Sequence, residues 1–390
     1  MFSHEPWFGK VSAIYTSAVT LSLKGIDWRS FLARPALPSP SPQILEQIFR
    51  QPVLITGAGG SIGSALALRL AHFATCGLVL LEAAENNLGS LERAWIEEMQ
   101  INPGAAPAPA FILGDAGSAA VLEALFVKHR PRLVFHTAAN KHVPLLEQQP
   151  FAAIANNIFA TEAVVAAAAG HGARVVLLST DKAVKPASVM GATKRAAEQI
   201  VLRQGGTVLR LANVLASSGS VAEVFAAQIE RGGPLTVTHP AARRYFLTME
   251  EAVNLLLIAA AHEARPAVLV PALQTAHGIT ELAGFMARTL AAENEFPIQY
   301  IGLRPGDKLS ELLWDDSEIA SPAGSGDLLC IRSPETAPIQ LESGLAELHA
   351  AFRERNLGAA LDSLCALVPS YSPGREVLAL VHQGGERVCA

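Results

Sequence analysis

The sequence predicts an α/β fold built on a doubly wound, mostly parallel sheet, and three observations support this prediction. Short apolar runs of strand length alternate with stretches of helical pattern through the first half of the chain. The runs are continuously apolar, which is typical of parallel strands buried on both faces. A glycine-rich turn links the first run to a helix, an arrangement that is common where a sheet of this type binds a ligand.

Composition favours a globular protein and excludes several function classes. Of the 390 residues, 50% are hydrophobic and 17% are charged, which suits a core-forming chain rather than a disordered one. The net charge of −5 comes without a basic stripe, so nucleic acid is not expected as a partner. The four cysteines are scattered without a CxxC pair, so neither a disulfide framework nor a bound metal is expected.

Apolar stretches in the sequence are too short to predict a membrane span, which needs about 20 residues. The best candidate, residues 11–23, is short and carries several hydroxyl side chains. No convincing cleavage site for a signal peptide follows it. We therefore expect no membrane span and a cytoplasmic location.

The predicted elements follow one another regularly once a weakly patterned N-terminal region ends. That region contains a Pro- and Ser-rich linker and a short helix, at 35–43 and 44–49. Strands separated by helices come next. They are predicted at 53–55, 78–81, 111–113, 133–135 and 175–178, and the first helix between them at 61–73.

Beyond about residue 205 the alternation loosens, which predicts a smaller C-terminal substrate lobe. Strands are expected at 207–211 and 235–238, and helices from Val221 onward and at 249–261. The predicted division is therefore an N-terminal arm and linker at 1–50, a cofactor-binding domain at 51–205, a substrate-binding lobe at 206–333 with segments that return to the main sheet, and a helical region at 334–390.

The glycine-rich turn predicts a dinucleotide site. Gly57 permits the tight turn, Gly60 lets the backbone approach a pyrophosphate, and Gly63 lets the helix pack close to the strand. The helix N-terminus at Ser61 and Ile62 offers free N–H groups and a partial positive charge to a phosphate. Because the turn follows a strand and opens a helix, it predicts a Rossmann-type dinucleotide fold.

Two carboxylates at the ends of the next strands refine the cofactor prediction. Glu82 ends the second strand, where an acidic side chain can bind a ribose diol and would repel a 2′-phosphate. The sequence therefore favours NAD over NADP. Asp115 follows the third strand and is expected near the adenine edge.

The most unusual segment reads STDKAVKPASVMGATK and follows the fifth predicted strand. Thr180, Asp181 and Lys182 stand directly at the strand end. Met190 and Lys194 lie one helical turn apart, so they share a face. A short-chain dehydrogenase has a tyrosine where Met190 stands, and none of the four tyrosines in this chain has a lysine four residues later. The lysine of that pair is present, and the tyrosine is not.

With these residues the chain resembles the CapD-type polysaccharide-biosynthesis proteins, which are extended short-chain dehydrogenases. Within that family it is most similar to the UDP-N-acetylglucosamine 4,6-dehydratases. The resemblance covers roughly residues 27–373. Membrane-bound relatives carry transmembrane helices and a further domain upstream, so this chain is expected to correspond to their catalytic part. The pieces that carry the resemblance are TGAGGSIGS, ENNL, AANKHVPLLE, NNIFAT, STDKAVKPASVMGATKR, NVLASSGSV, GGPLTVTHP, RRYFLT and LRPGDKLSELL.

The resemblance implies a NAD-dependent conversion of UDP-N-acetylglucosamine, or a close UDP-sugar, to its 4-keto-6-deoxy form for surface polysaccharide or glycan biosynthesis. Carried over residue by residue, it makes Asp181 the general acid and Lys182 the base at C5. Thr180 would bind the 4-oxygen, and Lys194 would bind the nicotinamide ribose. Met190 replaces the usual tyrosine, which leaves open whether Thr180, a water or a lysine takes the O4 proton.

Further contacts come from the same resemblance. For the cofactor they are Ala138, Ala139 and Asn157, and for the substrate they are Lys141, His142, Asn213, Arg244 and Arg304. The family usually has an aromatic residue at position 140 and glycines at positions 212 and 216, where this chain has Asn140, Ala212 and Ala216. These departures leave the sugar open. A homo-oligomer is expected because such folds usually assemble.

Three other functions stay open beside the retaining dehydratase. An inverting 4,6-dehydratase with 5-epimerase activity would share the same residues. A UDP-sugar 4-epimerase would not need the Asp181–Lys182 pair. A catalytically degenerate NAD-binding protein with a regulatory role is disfavoured by the intact Thr180, Asp181, Lys182 and Lys194.

Overall fold

A computed structural model describes the chain at residue 23 and over residues 25–73, 76–102, 107–291, 296–324, 327–332 and 338–382. Residues 11–22 of the apolar stretch and most of the first half of the predicted arm fall outside these residues, as does the end of the predicted helical region.

The strands match the predicted alternation closely. In chain order they are β1 (Val53–Thr56), β2 (Leu78–Glu82), β3 (Ala110–Leu113), β4 (Leu133–His136), β5 (Arg174–Thr180), β6 (Thr207–Leu211), β7 (Asn213–Val214), β8 (Leu235–Val237), β9 (Arg243–Arg244), β10 (Phe246–Leu247), β11 (Ala267–Pro271), β12 (His277–Gly278), β13 (Ile298–Tyr300), β14 (Ile319–Pro322) and β15 (Leu328–Arg332).

The helices fill the intervals between the strands, and the last three form the C-terminal region. They are α1 (Trp28–Leu32), α2 (Pro42–Phe49), α3 (Ser61–Leu70), α4 (Glu85–Ile101), α5 (Ala119–His129), α6 (Val143–Gln148), α7 (Pro150–Ala153), α8 (Ala160–Gly170), α9 (Val189–Arg203), α10 (Val221–Glu230), α11 (Met249–Ala261), α12 (Ile279–Leu290), α13 (Pro338–Arg353), α14 (Leu357–Leu367) and α15 (Arg375–His382). A π-helical turn spans Ile154–Phe159, and a 3₁₀ turn spans Asp181–Ala183.

Nine strands of the described residues form one sheet in the order β14-β15-β11-β6-β5-β4-β1-β2-β3. Neighbours from β3 through to β11 pair in parallel, and β15 and β14 add antiparallel strands at one edge. The chain moves outward from β1 to β3 and then returns to β4, which creates a switch point beside β1. The predicted doubly wound α/β fold is confirmed.

Burial along the whole strand explains why these strands could be predicted from continuous apolar runs in the sequence. β1, β2, β4 and β6 are buried along their whole length, and most of their side chains are apolar. Because parallel strands end at a common edge, Thr56, Glu82, His136 and Thr180 close their strands on the same side of the sheet. That edge is where ligands bind in folds of this type.

The N-terminal arm packs on the later part of the chain. Phe31 of α1 joins a second hydrophobic cluster with residues of α10 and α12, and its ring lies 5.9 Å from Phe246 and 5.2 Å from Phe285. Arg34 donates to both oxygens of Glu251 on α11, at 2.6 and 2.9 Å. Glu251 also closes a capping box with Thr248. The arm therefore ties the second cluster to α11, while the division into four segments stays a prediction.

Among the residues that the structure describes, one continuous helical stretch, Pro150–Gly170, is long and apolar enough to cross a membrane by length and composition. Of its most apolar window, 56% is buried inside the protein. Ile154, Ile158 and Val164 belong to the main hydrophobic core. Buried core helices of soluble proteins pass the same test, so this stretch is weak evidence for a span.

Candidate active site

The glycine-rich turn joins β1 to α3 and leaves no room for a side chain at Gly57, Gly59 or Gly63. Gly57 has a φ of +66°, and a Cβ there would meet the backbone of Ala138 at 2.6 Å. A Cβ on Gly63 would stand 2.3 Å from the carbonyl oxygen of Gly57. α3 begins at Ser61 with Gly60 as a cap that has no side chain. The first backbone N–H groups of the helix, at Ser61 and Ile62, therefore have no side-chain cap of their own.

The carboxylate of Glu82 lies against this turn. Its Oε2 accepts from the Gly59 N–H at 2.9 Å, and its Oε1 accepts from the Ala84 N–H at 3.0 Å. The side chain of Asp115 is more exposed and accepts from the Gly117 N–H at 2.8 Å. Glu82 thus forms part of the glycine turn, whereas Asp115 orders its own loop.

The loop after β4 is held in place by hydrogen bonds from a single buried side chain. Asn157 lies in the π-helical turn, accepts from the Asn140 N–H at 2.8 Å and donates to the Asn140 carbonyl at 3.0 Å. It also donates to Thr193 on α9 at 3.0 Å. The side chain that was predicted to contact the cofactor therefore fixes the loop that carries Ala138 and Ala139. π-Helical turns of this kind occur frequently at functional sites.

A compact polar cluster forms at the end of β5. Lys182 Nζ donates to Asp181 Oδ1 and to Asn213 Oδ1, each at 2.9 Å. The Thr180 hydroxyl donates to the same Asp181 oxygen at 2.9 Å. Asp181 is fully buried, and its Oδ2 has no hydrogen-bond partner. The structure thus brings together four predicted site residues from β5, the 3₁₀ turn and β7, with one acceptor atom left unsatisfied.

Met190 and Lys194 lie next to this cluster on α9. Both are buried, and Lys194 Nζ donates to the carbonyl of Leu178 on β5 at 2.8 Å. Burial lowers the pKa of Lys194 to about 8, against the opposing influence of Glu198. Burial, followed by the charge of Lys194, lowers the pKa of His136 to about 3, so that imidazole is neutral and bonds Thr56 at 2.7 Å.

Apart from Asn213, the predicted substrate contacts divide into two groups. Lys141 and His142 meet the loop after β7, because Lys141 Nζ donates to the Ser218 carbonyl at 2.6 Å and a Cβ on Gly219 would strike the His142 ring. The Ser218 N–H donates to Ser61 Oγ at 3.0 Å, so this loop crosses the glycine turn.

Arg244 contacts the loop at residues 303–310 instead, and Arg304 belongs to that loop. The guanidinium of Arg244 donates to the carbonyls of Lys308 and Leu309 at 2.7 and 2.9 Å. Arg304 Nε donates to Asp307 at 2.9 Å, and the Arg304 side chain is 54% exposed. Lys308 Nζ in turn donates to the Val184 carbonyl at 2.8 Å, just past Lys182. Arg244 therefore holds the loop, and Arg304 is the more accessible cation.

A buried ionic network beneath the cluster was missed from the sequence. Arg210 on β6 and Glu198 on α9 are fully buried and bonded at 2.9 Å, and Arg210 also bonds Glu318 at 2.9 Å. Ser179 donates to Glu198 at 2.6 Å. The available signal was an arginine within an apolar strand and a glutamate four residues after Lys194. Among the described residues, no group of His, Cys, Asp and Glu is arranged to hold a metal ion.

Comparison with known sequences gives one family and several relatives. The family model described as polysaccharide biosynthesis protein matches residues 53–332. The probable polysaccharide biosynthesis protein EpsC of Bacillus subtilis is 37% identical over 76% of this chain and 50% of its own length. The capsular polysaccharide biosynthesis protein CapD of Staphylococcus aureus is 36% identical over 76% of this chain and 51% of its own length. The chain thus spans about half the length of these curated relatives.

A third relative matches over more of its length. A UDP-glucose 4-epimerase of Rickettsia canadensis is 34% identical over 70% of this chain and 81% of its own length. Among solved structures, Pen from Bacillus thuringiensis superposes with a TM-score of 0.66 at 26% identity over 74% of this chain and 90% of its own. MoeE5, solved with UDP-glucuronic acid and NAD, shares the fold with a TM-score of 0.56 at 24% identity over 68% and 89%.

The family match covers the sheet, the glycine turn and the cluster at the end of β5, and the predicted CapD-type resemblance is confirmed. The chain therefore belongs to the polysaccharide biosynthesis protein family, built on the fold of the extended short-chain dehydrogenases.

Proposed function

We propose that the protein is a NAD-dependent UDP-N-acetylhexosamine 4,6-dehydratase that serves polysaccharide or glycan biosynthesis. The observation that carries this proposal is the hydrogen-bonded cluster of Thr180, Asp181, Lys182 and Asn213 at the sheet edge that also carries the glycine turn. An acid and a base held 2.9 Å apart suit an elimination, which needs both on one sugar ring.

The residues at the glycine turn fit NAD. The uncapped start of α3 suits a pyrophosphate, because its N–H groups and helix dipole favour negative charge. The Glu82 carboxylate at the end of β2 suits a ribose diol and disfavours a 2′-phosphate. Lys194 would donate to the hydroxyls of the nicotinamide ribose. MoeE5 was solved with NAD on the same fold, which agrees with this assignment.

Each proton movement in the reaction has a candidate group. NAD, when bound, would accept a hydride from C4 of the sugar and return it at C6. Once C4 is a ketone, the C5 proton is acidic, and Lys182 in its neutral form removes it. Asp181 in its protonated form donates to the C6 hydroxyl, which leaves as water. The Lys182 ammonium, or water from the opposite face in an inverting enzyme, then returns a proton to C5, so the net change is the loss of one water molecule.

The contact between Asp181 and Lys182 supports these roles. A single proton moved across the 2.9 Å hydrogen bond converts the ion pair into a neutral acid beside a neutral amine. Exclusion of water on substrate binding favours the neutral form, because buried charges lose their solvation. Elimination requires this neutral pair. When the proton on Asp181 comes from O4 instead, Lys182 reaches its neutral form by releasing its own proton to solvent.

Thr180 is the best-supported candidate for the O4 proton. Met190 has no acidic or basic group, and its side chain is buried. The Thr180 hydroxyl donates to Asp181 Oδ1, so a proton received from O4 has a direct path to a carboxylate. The tyrosine of other short-chain dehydrogenases would be replaced by this two-residue path.

One incubation tests the proposal. The purified protein is mixed with UDP-N-acetylglucosamine in deuterated water and followed by NMR. The expected product is a 4-keto-6-deoxy sugar that carries deuterium at C5, and the C5 configuration separates retention from inversion. If neither this sugar nor any other UDP-sugar tested gives such a product, the proposal fails.

A second candidate function is a UDP-sugar 4-epimerase, favoured by the identity to the Rickettsia canadensis protein. Epimerisation leaves the C6 oxygen in place and does not exchange the C5 proton. The same incubation therefore separates the two, because an epimerase yields the 4-epimer without deuterium at C5. A cytoplasmic location, a homo-oligomeric state and the substrate roles of Lys141, His142 and Arg304 remain predictions.

A further inference from the structure

The buried ionic network connects the two halves of the candidate active site. Ser179, which donates to Glu198 at 2.6 Å, directly precedes Thr180 on β5. Glu198 lies one helical turn after Lys194 on α9. The network therefore contacts the strand that carries the acid–base cluster and the helix that carries the lysine.

Arg210 holds Glu198 in place through one edge of its guanidinium. Arg210 Nε and Nη2 donate to the two oxygens of Glu198 at 2.9 Å each. Nη1 and Nη2 donate to Glu318 at 2.9 Å each, so the second carboxylate occupies the other edge. Arg195 joins both carboxylates at 3.0 and 3.1 Å. A bidentate arrangement of this kind fixes a carboxylate in orientation as well as position.

We propose that Glu198, clamped by Arg210, is a positioning residue that holds the Lys194 ammonium against the end of β5. This inference rests on the proposed NAD site, because the ammonium it positions is the one that would meet the nicotinamide ribose. Glu198 itself is separated from the reacting atoms by Lys194 and Ser179 and would act through them.

Electrostatics agree with the geometry. Burial alone would raise the pKa of Glu198, but Arg210 and then Arg195 hold it below its ordinary value, so the residue stays anionic. Burial also disfavours the charge on Arg210, yet the two carboxylates raise its pKa above the ordinary value. A fixed negative charge one turn from Lys194 opposes the effect of burial on that ammonium.

Other titratable groups around Lys194 are accounted for. His136 on β4 faces the lysine but stays neutral, since its pKa is about 3. Asp181 and Lys182 lie on the 3₁₀ turn that packs against α9, and they bond each other. Glu147 on α6 accepts from the Val189 N–H at the start of the same helix. Glu198 is therefore the carboxylate on Lys194's own helix face.

Competition between NAD+ and NADH measures the charge on Lys194 without any sugar chemistry. Protein loaded with NADH is titrated with NAD+ between pH 6 and 10, and displacement is followed by NADH fluorescence. A cationic Lys194 disfavours the positively charged nicotinamide of NAD+, so the preference for NADH is expected to fall as the pH rises through the pKa of Lys194. Lys194→Arg, which stays charged, is expected to remove this transition.

The network variants decide the proposal. Glu198→Gln is expected to move the transition about one pH unit lower, because the ammonium loses its neighbouring charge. Glu318→Gln also removes a carboxylate from Arg210 and is the matched control, with the transition expected at the wild-type pH. Glu198→Asp keeps the charge but shortens the side chain by one methylene, which moves the carboxylate away from Lys194. The pH of the transition is therefore expected to fall by less than in Glu198→Gln.

Each outcome has a defined meaning. An unmoved transition in Glu198→Gln, or an equal shift in Glu318→Gln, overturns the positioning role and leaves a structural one. If Glu198→Gln does not fold, Glu198→Asp decides, and a transition at or above the wild-type pH overturns the proposal. Failure to bind NAD or NADH removes this inference together with the proposed function. A normal transition without conversion of any UDP-sugar removes the proposed function alone.

Discussion

The glycine turn after β1 and the Thr180–Lys182 cluster after β5 lie at the same edge of one sheet but are built from different atoms. The glycine turn presents backbone N–H groups and is shaped by missing side chains, with Glu82 as its main polar side chain. The β5 cluster is built from side chains that bond one another around the fully buried Asp181.

The difference indicates which changes each region tolerates. At the glycine turn an added methyl group on Gly57 or Gly63 would displace backbone, and loss of the Glu82 carboxylate would remove the main polar side chain. At the β5 cluster a smaller side chain can be accommodated, but loss of Thr180, Asp181 or Lys182 would remove a group from the proposed proton path. Substitutions that add bulk should therefore weaken NAD binding at the glycine turn. Substitutions that remove a functional group should lower turnover at the β5 cluster.

The largest effect is expected for Lys182→Ala. Removing the base at C5 should lower turnover at least about 100-fold, the usual range for a positioned acid or base. NAD binding should be unchanged, since the side chain belongs to the β5 cluster. Lys185→Ala is the matched control, because Lys185 lies on the surface and pairs with Asp316. Single-turnover assays measure the turnover of both variants, and titration with NAD measures their cofactor binding. If Lys182→Ala still converts substrate, Lys182 is not the base.

Gly63→Ala should show the second largest effect and the opposite pattern. Its new Cβ would lie 2.3 Å from the Gly57 carbonyl, so the turn must open and NAD affinity should drop at least about tenfold. Overpacking of this kind costs about 1–3 kcal/mol of stability. Gly77→Ala serves as the control, since its nearest neighbour would be Pro52 at 3.7 Å. Calorimetric titration with NAD and thermal melting report the two losses, and unchanged affinity would contradict the assignment of the turn.

Glu82→Gln sharpens the comparison by testing the polar side chain of the backbone-built region. Loss of the carboxylate should remove repulsion of a 2′-phosphate and raise the affinity for NADP relative to NAD by about tenfold. Glu85→Gln, on the exposed start of α4, should leave the ratio unchanged. The ratio of the two dissociation constants is the measurement. A wild-type preference for NADP would contradict the role of Glu82 outright.

The smallest effect is expected for Ala216→Gly, in the loop that runs from β7 toward Ser218. Ala216 has a φ of +57°, where a residue with a Cβ is disfavoured by about 1–2 kcal/mol. Glycine relieves that strain but makes the unfolded chain more flexible, at a cost of about 0.4–1 kcal/mol. The variant should therefore be more stable by about 0.5–1 kcal/mol.

Ala212→Gly is its counterpart, because Ala212 is buried and shows no left-handed backbone. This change should destabilise the protein. Urea denaturation of both variants makes the comparison, and equal effects of the two substitutions would contradict the strain argument.

The sequence predicted the strand ends well because continuous apolar runs mark buried parallel strands, and α11 has the predicted bounds. The position of Thr180, Asp181 and Lys182 directly after a predicted strand also identified them as candidate site residues. The Glu198–Arg210–Glu318 network could not be read in this way, since Arg210 finds its partners 12 and 108 residues away. Nor could spacing predict that Asn157, expected to contact the cofactor, would bond the Asn140 backbone. Such pairings depend on how strands and helices assemble.

The packing of the N-terminal arm has a practical consequence for protein production. A fragment cut at residue 51, where the sheet begins, would strip Phe31 from the rings of Phe246 and Phe285. It would also leave the buried Glu251 without the guanidinium of Arg34. Such a fragment would expose an aromatic surface and an uncompensated carboxylate, so expression trials aimed at a minimal enzyme should retain the arm from Leu23 onward.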